Sequence, residues 1–380
     1  MESKKKICFV VSTLVTVKAF LIDHITELSK HYDVYIVANC TITEIEEIKH
    51  LNIKEIKNIP IHRKINIISD IKSIYFLYKY FIKNKFFITH SVTPKAGLIC
   101  SISSFLSKNK HRIHIFTGQV WHTKKGIYKK ILRLIDKFTA SLNTIILVDS
   151  KSQMEFLIDN KVISANKSYV LGIGSISGVN ISKFSFNNEE RLSIRAEHAI
   201  PEGSIVYIFL GRLNKDKGIY ELLQSFKRLS AEYSSTKLAL IGVDEENIIS
   251  SQECQELLHS KKMIYINYTN SPEKALLIGD IFCLPSHREG FGTSVIEASS
   301  IGLPAICSDT YGLRDTIIEG KTGLRHKVGD ADSLYIQMKL FAENINLIKE
   351  YGNNGKNYVH NNFDSILITS KWVEFYHKLA

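Results

Sequence analysis

Short apolar runs alternate with longer amphipathic stretches along most of this chain, and no other feature limits the fold as strongly. Lys6–Ser12, Asp33–Ala38, Phe86–His90, Arg112–Thr117 and Asn143–Val148 read as a first series of strands. Ser204–Leu210, Lys237–Gly242, Met263–Asn267 and Ile281–Leu284 read as a second. Short apolar runs of this kind fit parallel strands covered on both faces. The stretches between them, such as those near Ala19–His31 and Tyr220–Glu232, carry helical spacing. The pattern predicts an α/β chain built on doubly wound parallel sheets. With 380 residues there is chain enough for two such sheets, each with its own core. Residues 172–190 are rich in Gly, Ser and Asn, which predicts an interdomain linker. The expected organisation is a first domain over 1–175, a linker over 176–200, a second domain over 201–362 and a terminal helix over 363–380. Trp372, Phe375 and Tyr376 mark that helix.

The stretch from Ile281 to Ile306 carries most of the chemistry. A buried strand, Ile281–Leu284, runs into a loop bearing Gly290 and Gly292, then a helix to about Ser300, then the next strand. The two glycines are expected to let the backbone approach a ligand. Thr293 or Ser294 is expected to cap the helix. Its free N–H groups and positive dipole end make an anion site that suits a diphosphate. Glu289 and Glu297 bracket that site. Carboxylates beside an anion site are costly unless they bind something else, and sugar hydroxyls are natural partners. The implied ligand is a sugar nucleotide. An ordinary strand–loop–helix turn with two solvent-facing glutamates would show the same spacing. In the first domain, His90, Thr117-Gly118-Gln119 and Asp149-Ser150 fall at predicted strand ends, where open α/β sheets bind ligands.

Glu289 and Glu297 in this frame, with Gly211-Arg-Leu-Asn-Lys-Asp-Lys217-Gly218 earlier in the second domain, resemble the signature of retaining GT-B glycosyltransferases of the family 4 type, the glycosyl transferases group 1. The branch that assembles bacterial surface polysaccharides, such as O-antigen and lipopolysaccharide, fits best. The resemblance implies two Rossmann-like domains facing across a cleft, with the terminal helix crossing back to the first. It makes the first domain acceptor-binding and the second nucleotide-sugar-binding. It gives Glu289 the donor sugar and Glu297 the ribose hydroxyls. It assigns Gly211, Arg212, Lys217, Gly290, Phe291, Gly292 and Thr293 to the donor, with Arg212 and Lys217 neutralising the leaving diphosphate. Glu289, Arg212 and Lys217 form the implied catalytic set. The implied reaction moves a sugar, favoured as a UDP-sugar, to a hydroxyl of a lipid-linked or other membrane-surface glycan with retention of configuration. The departing phosphate oxygen is able to take the acceptor's proton. No cofactor or metal is called for, and no Asp-rich metal motif occurs. Many relatives carry a histidine just after the strand that here ends at Thr117, where this chain has Gly118-Gln119. The acceptor side is assigned to His90, Thr117, Gly118 and Gln119. A sugar-nucleotide epimerase of the same fold and a noncatalytic sugar-nucleotide binder are the alternatives.

The net charge is +11 and unevenly spread. Residues 1–190 hold 28 Lys and Arg against 15 Asp and Glu, whereas residues 191–380 hold 21 against 23. An anionic partner for the first half follows. Lys72–Lys85 and Lys124–Lys137 combine bases with Ile, Leu, Phe and Tyr, as do helices that lie on anionic bilayers. Packing on their own sheet is the plainer reading for each helix taken singly. Nucleic acid is disfavoured because no reading motif occurs. No apolar run reaches membrane-spanning length, and Met1–Lys6 with the following strand does not read as a signal peptide. The six cysteines are scattered without metal spacing, as expected of reduced thiols. The expected location is the cytoplasm, peripherally on the inner face of the cell membrane.

Overall fold

The computed structural model describes residues 4–62 and 66–380. The chain divides into two compact units, Met1–Ser177 with Ser365–Ala380, and Gly178–Asp364. The first has β1 (Lys6–Thr13), β2 (Asp33–Asn39), β3 (Glu55–Asn58), β4 (Ile88–Val92), β5 (His111–Phe116), β6 (Ile145–Val148) and β7 (Ser168–Tyr169). They pair in parallel in the order β3-β2-β1-β4-β5-β6-β7. The second has β8 (Ile205–Leu210), β9 (Thr236–Ile241), β10 (Met263–Ile266), β11 (Ile281–Leu284), β12 (Ala305–Ser308) and β13 (Gly323–His326). Their order is β10-β9-β8-β11-β12-β13, again all parallel. Both sheets reverse winding direction once, between β1 and β4 and between β8 and β11. At such a reversal the following loops diverge and leave a crevice at the strand ends.

Side chains of β1 alternate between two cores, as strand geometry requires. Ile7, Phe9 and Val11 enter one with Trp372 and Tyr376, while Cys8 and Val10 enter the other with Leu77, Phe81 and Ile99. The terminal helix, Ser365–Leu379, thus completes the core of the first unit. His24 ties it down: its ring stacks on Trp372 with centroids 4.3 Å apart, Nδ1 lies 2.9 Å from the Thr369 hydroxyl, and Nε2 lies 2.7 Å from the Ile176 carbonyl. The helix expected near Ala19–His31 is instead two short ones, Leu14–Phe20 and Ile22–Leu28. All six cysteines are buried and free.

The segment expected as a linker over 176–200 is ordered differently. From Gly178 onward it belongs to the second unit, and Asn188–Glu197 forms a helix there. Arg191 and Arg195, one turn apart, fork onto Asp280 at 2.5 and 3.1 Å. They also donate to the carbonyls of Leu277, Ile278, Gly279 and Ser204. Asp280 in turn accepts from the Val206 N–H of β8 at 2.8 Å. Two guanidiniums that satisfy carbonyls and a shared carboxylate dock a helix of low apolar content.

Candidate active site

β8 and β11 are neighbours at the reversal of the second sheet, and the loops that leave them interlock. After β8, Asn214 caps the turn Lys215–Lys217 by accepting from the Lys217 N–H, and Gly218 follows at φ +71°. A Cβ on Gly218 would stand 2.1 Å from the Pro285 carbonyl oxygen, so only glycine lets the loops approach this closely. The His287 N–H donates to the Asp216 carbonyl at 2.8 Å, and Arg288 holds the Asp216 carboxylate at 2.9 Å. His287 also bonds Glu221 of the next helix at 2.8 Å, which holds its imidazole above its usual pKa. This bracing delivers Lys217 against Glu289. Their side chains form an ion pair, each largely shielded from solvent. Arg212 lies beside the same loop in a different state. It is exposed and paired to Glu245, at 2.9 Å, from the loop after β9.

Beyond Glu289 the chain turns into the helix Thr293–Ser300. Neither Thr293 nor Ser294 caps it. Both lie inside its first turn, Gly292 holds the cap position, and no side chain bonds the helix start. The amino end of this helix therefore keeps N–H groups that no cap side chain satisfies. The expected role of Gly292 also changes. Its φ is ordinary, and a Cβ there would meet Leu313 at 2.5 Å, so its small size serves packing against the protein. Phe291 is buried and packs on Phe363 with centroids 5.3 Å apart. Gly290 is covered by Gly312, where a Cβ would stand 2.5 Å from the Gly290 carbonyl. Gly211 ends β8 beside Gly242 at the end of β9, where a Cβ on Gly242 would stand 1.8 Å from the Gly211 carbonyl.

Glu297 sits one turn into the helix and is half-buried. Burial raises its carboxyl to about 8, with Lys183 opposing the shift and Glu273 adding to it. Lys183 and Glu273 form an ion pair at 3.3 Å. Sequence reasoning gave no role to Asp216, Glu221 and Arg288, which brace the loops that bring Lys217 and Glu289 together. Asp216-Lys217 and His287-Arg288-Glu289 are contiguous in sequence, which was the available signal.

In the first unit the acceptor-side residues separate. His90 was expected at a strand end, but β4 runs to Val92, so His90 sits mid-strand in the core. Its ring stacks on Trp372 with centroids 5.0 Å apart and its Nδ1 lies 2.6 Å from the Tyr376 hydroxyl. Burial drives its pKa well below normal, which makes it a neutral core histidine. Thr117 and Gly118 are half-buried just past the end of β5. Gln119 is buried and accepts from Gln153 Nε2 at 3.1 Å.

The family model for glycosyl transferases group 1 matches residues 190–358. The chain is 32% identical over 351 residues to the capsular polysaccharide biosynthesis glycosyltransferase CapM of Staphylococcus aureus, covering 91% of this chain and 90% of that protein. The chain belongs to the group 1 glycosyltransferases. A second relative, the UDP-Gal:α-D-GlcNAc-diphosphoundecaprenol α-1,3-galactosyltransferase of Escherichia coli, is 22% identical over 83% of this chain and 81% of its own length. Among solved structures, Anabaena HepE in complex with UDP and glucose superposes with a TM-score of 0.78 at 14% identity, over 98% of this chain and 99% of that one. The fold of this glycosyltransferase is GT-B.

The glycosyltransferase's first unit carries its positive charge. By sequence it holds 29 Lys and Arg against 14 Asp and Glu, and the second unit 20 against 24. The helix Gly126–Leu142 turns its apolar side outward: Ile127, Tyr128, Ile131, Leu134 and Phe138 are exposed, and only Thr139 and Ala140 are buried. Lys124, Lys125, Lys130, Arg133 and Lys137 are exposed with them. The helix Ile67–Asn84 likewise exposes Ile68, Ile71, Tyr75 and Phe76 beside Lys72 and Lys79. Both pack against the helix Pro94–Leu106, so these faces lie on one side of the sheet. Among the described residues no helix is long and apolar enough to cross a membrane.

Proposed function

We propose that this enzyme transfers a sugar from a UDP-sugar, with retention of configuration and without a metal, to a hydroxyl of a lipid-linked glycan during surface-polysaccharide assembly. The observation that carries the reading is the meeting of Lys217 and Glu289 at the reversal of the second sheet, next to a helix start that no side chain caps. The arriving diphosphate draws the Lys217 ammonium away from Glu289. Glu289 is then free to accept from the hydroxyls of the donor sugar. Arg212 leaves Glu245 for the outer phosphate, where its fork binds two oxygens. The helix start stabilises the charge that builds on the leaving phosphate. Glu297 takes the ribose hydroxyls. The HepE complex with UDP supports the choice of base, and the E. coli relative, named for a diphosphoundecaprenol substrate, supports a lipid-linked acceptor.

The apolar and basic helices of the first unit suit attachment to an anionic bilayer, with Tyr75, Tyr128 and Phe138 at the headgroup level. In this reading the enzyme works on the inner face of the membrane, where the lipid acceptor is presented. The test is incubation of the full chain with radiolabelled UDP-sugars and membranes, with and without EDTA. Label in the lipid fraction, insensitive to EDTA and attached with the donor's anomeric configuration, is expected. Free epimerised nucleotide sugar, or tight UDP binding with no turnover of any donor, refutes it.

A further inference from the structure

Asp149 stands immediately after β6 in the first unit, and it is 4% exposed. Its Oδ1 has no hydrogen-bond partner among the described residues, and it forms no ion pair there. Its position follows from register. Ile115 of β5 pairs with Leu147 of β6, and both side chains enter the same core. Two residues further along each chain are Thr117 and Asp149, so by the twofold alternation of strands they are the next pair on that face, at the carboxyl edge of the sheet. The surroundings are built. Gln153, wholly buried, spends its amide on fixing this edge. Its Nε2 donates to the Thr117 carbonyl at 2.9 Å and to Gln119, and its Oε1 accepts from the Asp149 N–H at 3.0 Å. The Asp149 carbonyl accepts from the Ser175 N–H at 2.7 Å. Every one of these bonds holds backbone or a neighbouring side chain, and none answers the Asp149 carboxyl.

A buried carboxyl with no partner costs stability, and nothing in the fold gains from it. Asparagine would fill the same space without a charge. Such a violation is retained where a ligand supplies what the fold withholds.

We propose that Asp149 is the acceptor-binding carboxyl of this glycosyltransferase, its carboxylate taking a hydrogen bond from a hydroxyl of the sugar acceptor at the edge formed by Thr117, Gly118 and Gln153. The inference rests on the function proposed above and extends it to the acceptor. Burial alone lifts the Asp149 carboxyl to about 8, and no neighbouring charged group contributes. Free enzyme near neutrality therefore carries it mostly protonated. An acceptor that donates O–H groups selects the ionised form. The carboxyl proton passes to buffer as the hydroxyl hydrogen takes its place, and no bond to carbon changes. The rate at low acceptor should rise as pH passes through about 8.

The test compares the wild type with Asp149→Asn, using labelled UDP-sugar and increasing amounts of membrane lipid as the acceptor source. The variant should need about ten- to a hundredfold more acceptor for half-maximal rate, the weight of one hydrogen bond to a charged group. Its rise in rate near pH 8 should vanish. Its stabilisation by UDP should be unchanged, and its melting temperature at pH 8.5 should equal or exceed that of the wild type. Wild-type acceptor dependence and pH profile in the variant overturn the inference, and so does a lowered melting temperature, which would mark a structural carboxyl. Absence of label transfer by the wild type itself refutes the proposed function, a different result from either.

Discussion

Glu297→Gln should make the unliganded protein more stable while weakening its hold on UDP. Glu297 keeps its proton to about pH 8 in the folded chain, whereas the unfolded chain releases it near 4.5. Between these values the folded state binds more protons, so rising pH favours unfolding, and the loss is complete above pH 8. At about 1.4 kcal/mol per pH unit the full penalty has a ceiling of about 5 kcal/mol, with about 3 kcal/mol already present at pH 7. Solvent reaches part of the side chain and screens some of this, which leaves about 1–2 kcal/mol. Glutamine has no proton to lose and escapes the penalty. Urea unfolding of both proteins from pH 5 to 9 measures it, since the difference between them cancels every other titrating group. The gap should be near zero at pH 5 and grow to its full value by pH 9, in favour of the variant. UDP should then stabilise the variant less than the wild type, because stabilisation grows with the logarithm of ligand concentration over Kd. A variant less stable than the wild type at pH 9, or one protected equally by UDP, refutes the argument.

Lys217→Ala should lower kcat by about a hundred- to a thousandfold, as loss of one preorganised group at a developing charge does; Lys217→Arg should recover part of it, and steady-state kinetics with the labelled donor decide. Gly218→Ala forces a left-handed backbone on alanine, worth about 1–3 kcal/mol, and also drives its Cβ into the Pro285 carbonyl. It should destabilise by more than the backbone term alone and abolish UDP protection, read together in one thermal-shift series. Replacing the exposed Ile131 and Leu134 by Asp should leave folding within about 0.5 kcal/mol but reduce co-sedimentation with phosphatidylglycerol vesicles at least tenfold, given about 1.5–3 kcal/mol per buried aliphatic side chain. Unchanged co-sedimentation would remove that helix from any membrane contact.

The sequence announces features that are local and misleads where contacts are remote. Both parallel sheets were legible because most of their strands are contiguous apolar runs; β3 and β7, which are short and polar, went unread. The frame from Glu289 to Glu297 was legible because spacing alone defines it. Helix Asn188–Glu197 looked like linker because its docking depends on Asp280, 89 residues from Arg191. His90 looked like a strand-end ligand because its true partner, Tyr376, lies 286 residues away. The same blindness to distance hid the purpose of Gly292, which serves Leu313. It also hid the pairing of Arg212 with Glu245 and of Lys217 with Glu289, since charges in separate motifs give no sign that they meet.

The stacking of Trp372 on His24 and His90 has a bearing on biosynthesis. The amino-terminal half emerges from the ribosome first, yet its core lacks a wall until residues 365–380 have been translated. The later half, Gly178–Asp364, is contiguous and has every residue it needs sooner. The first-made half therefore cannot complete its core before the second-made half has been synthesised whole. In the interval the nascent chain presents an open aromatic groove, and chaperone capture should fall on that earlier portion.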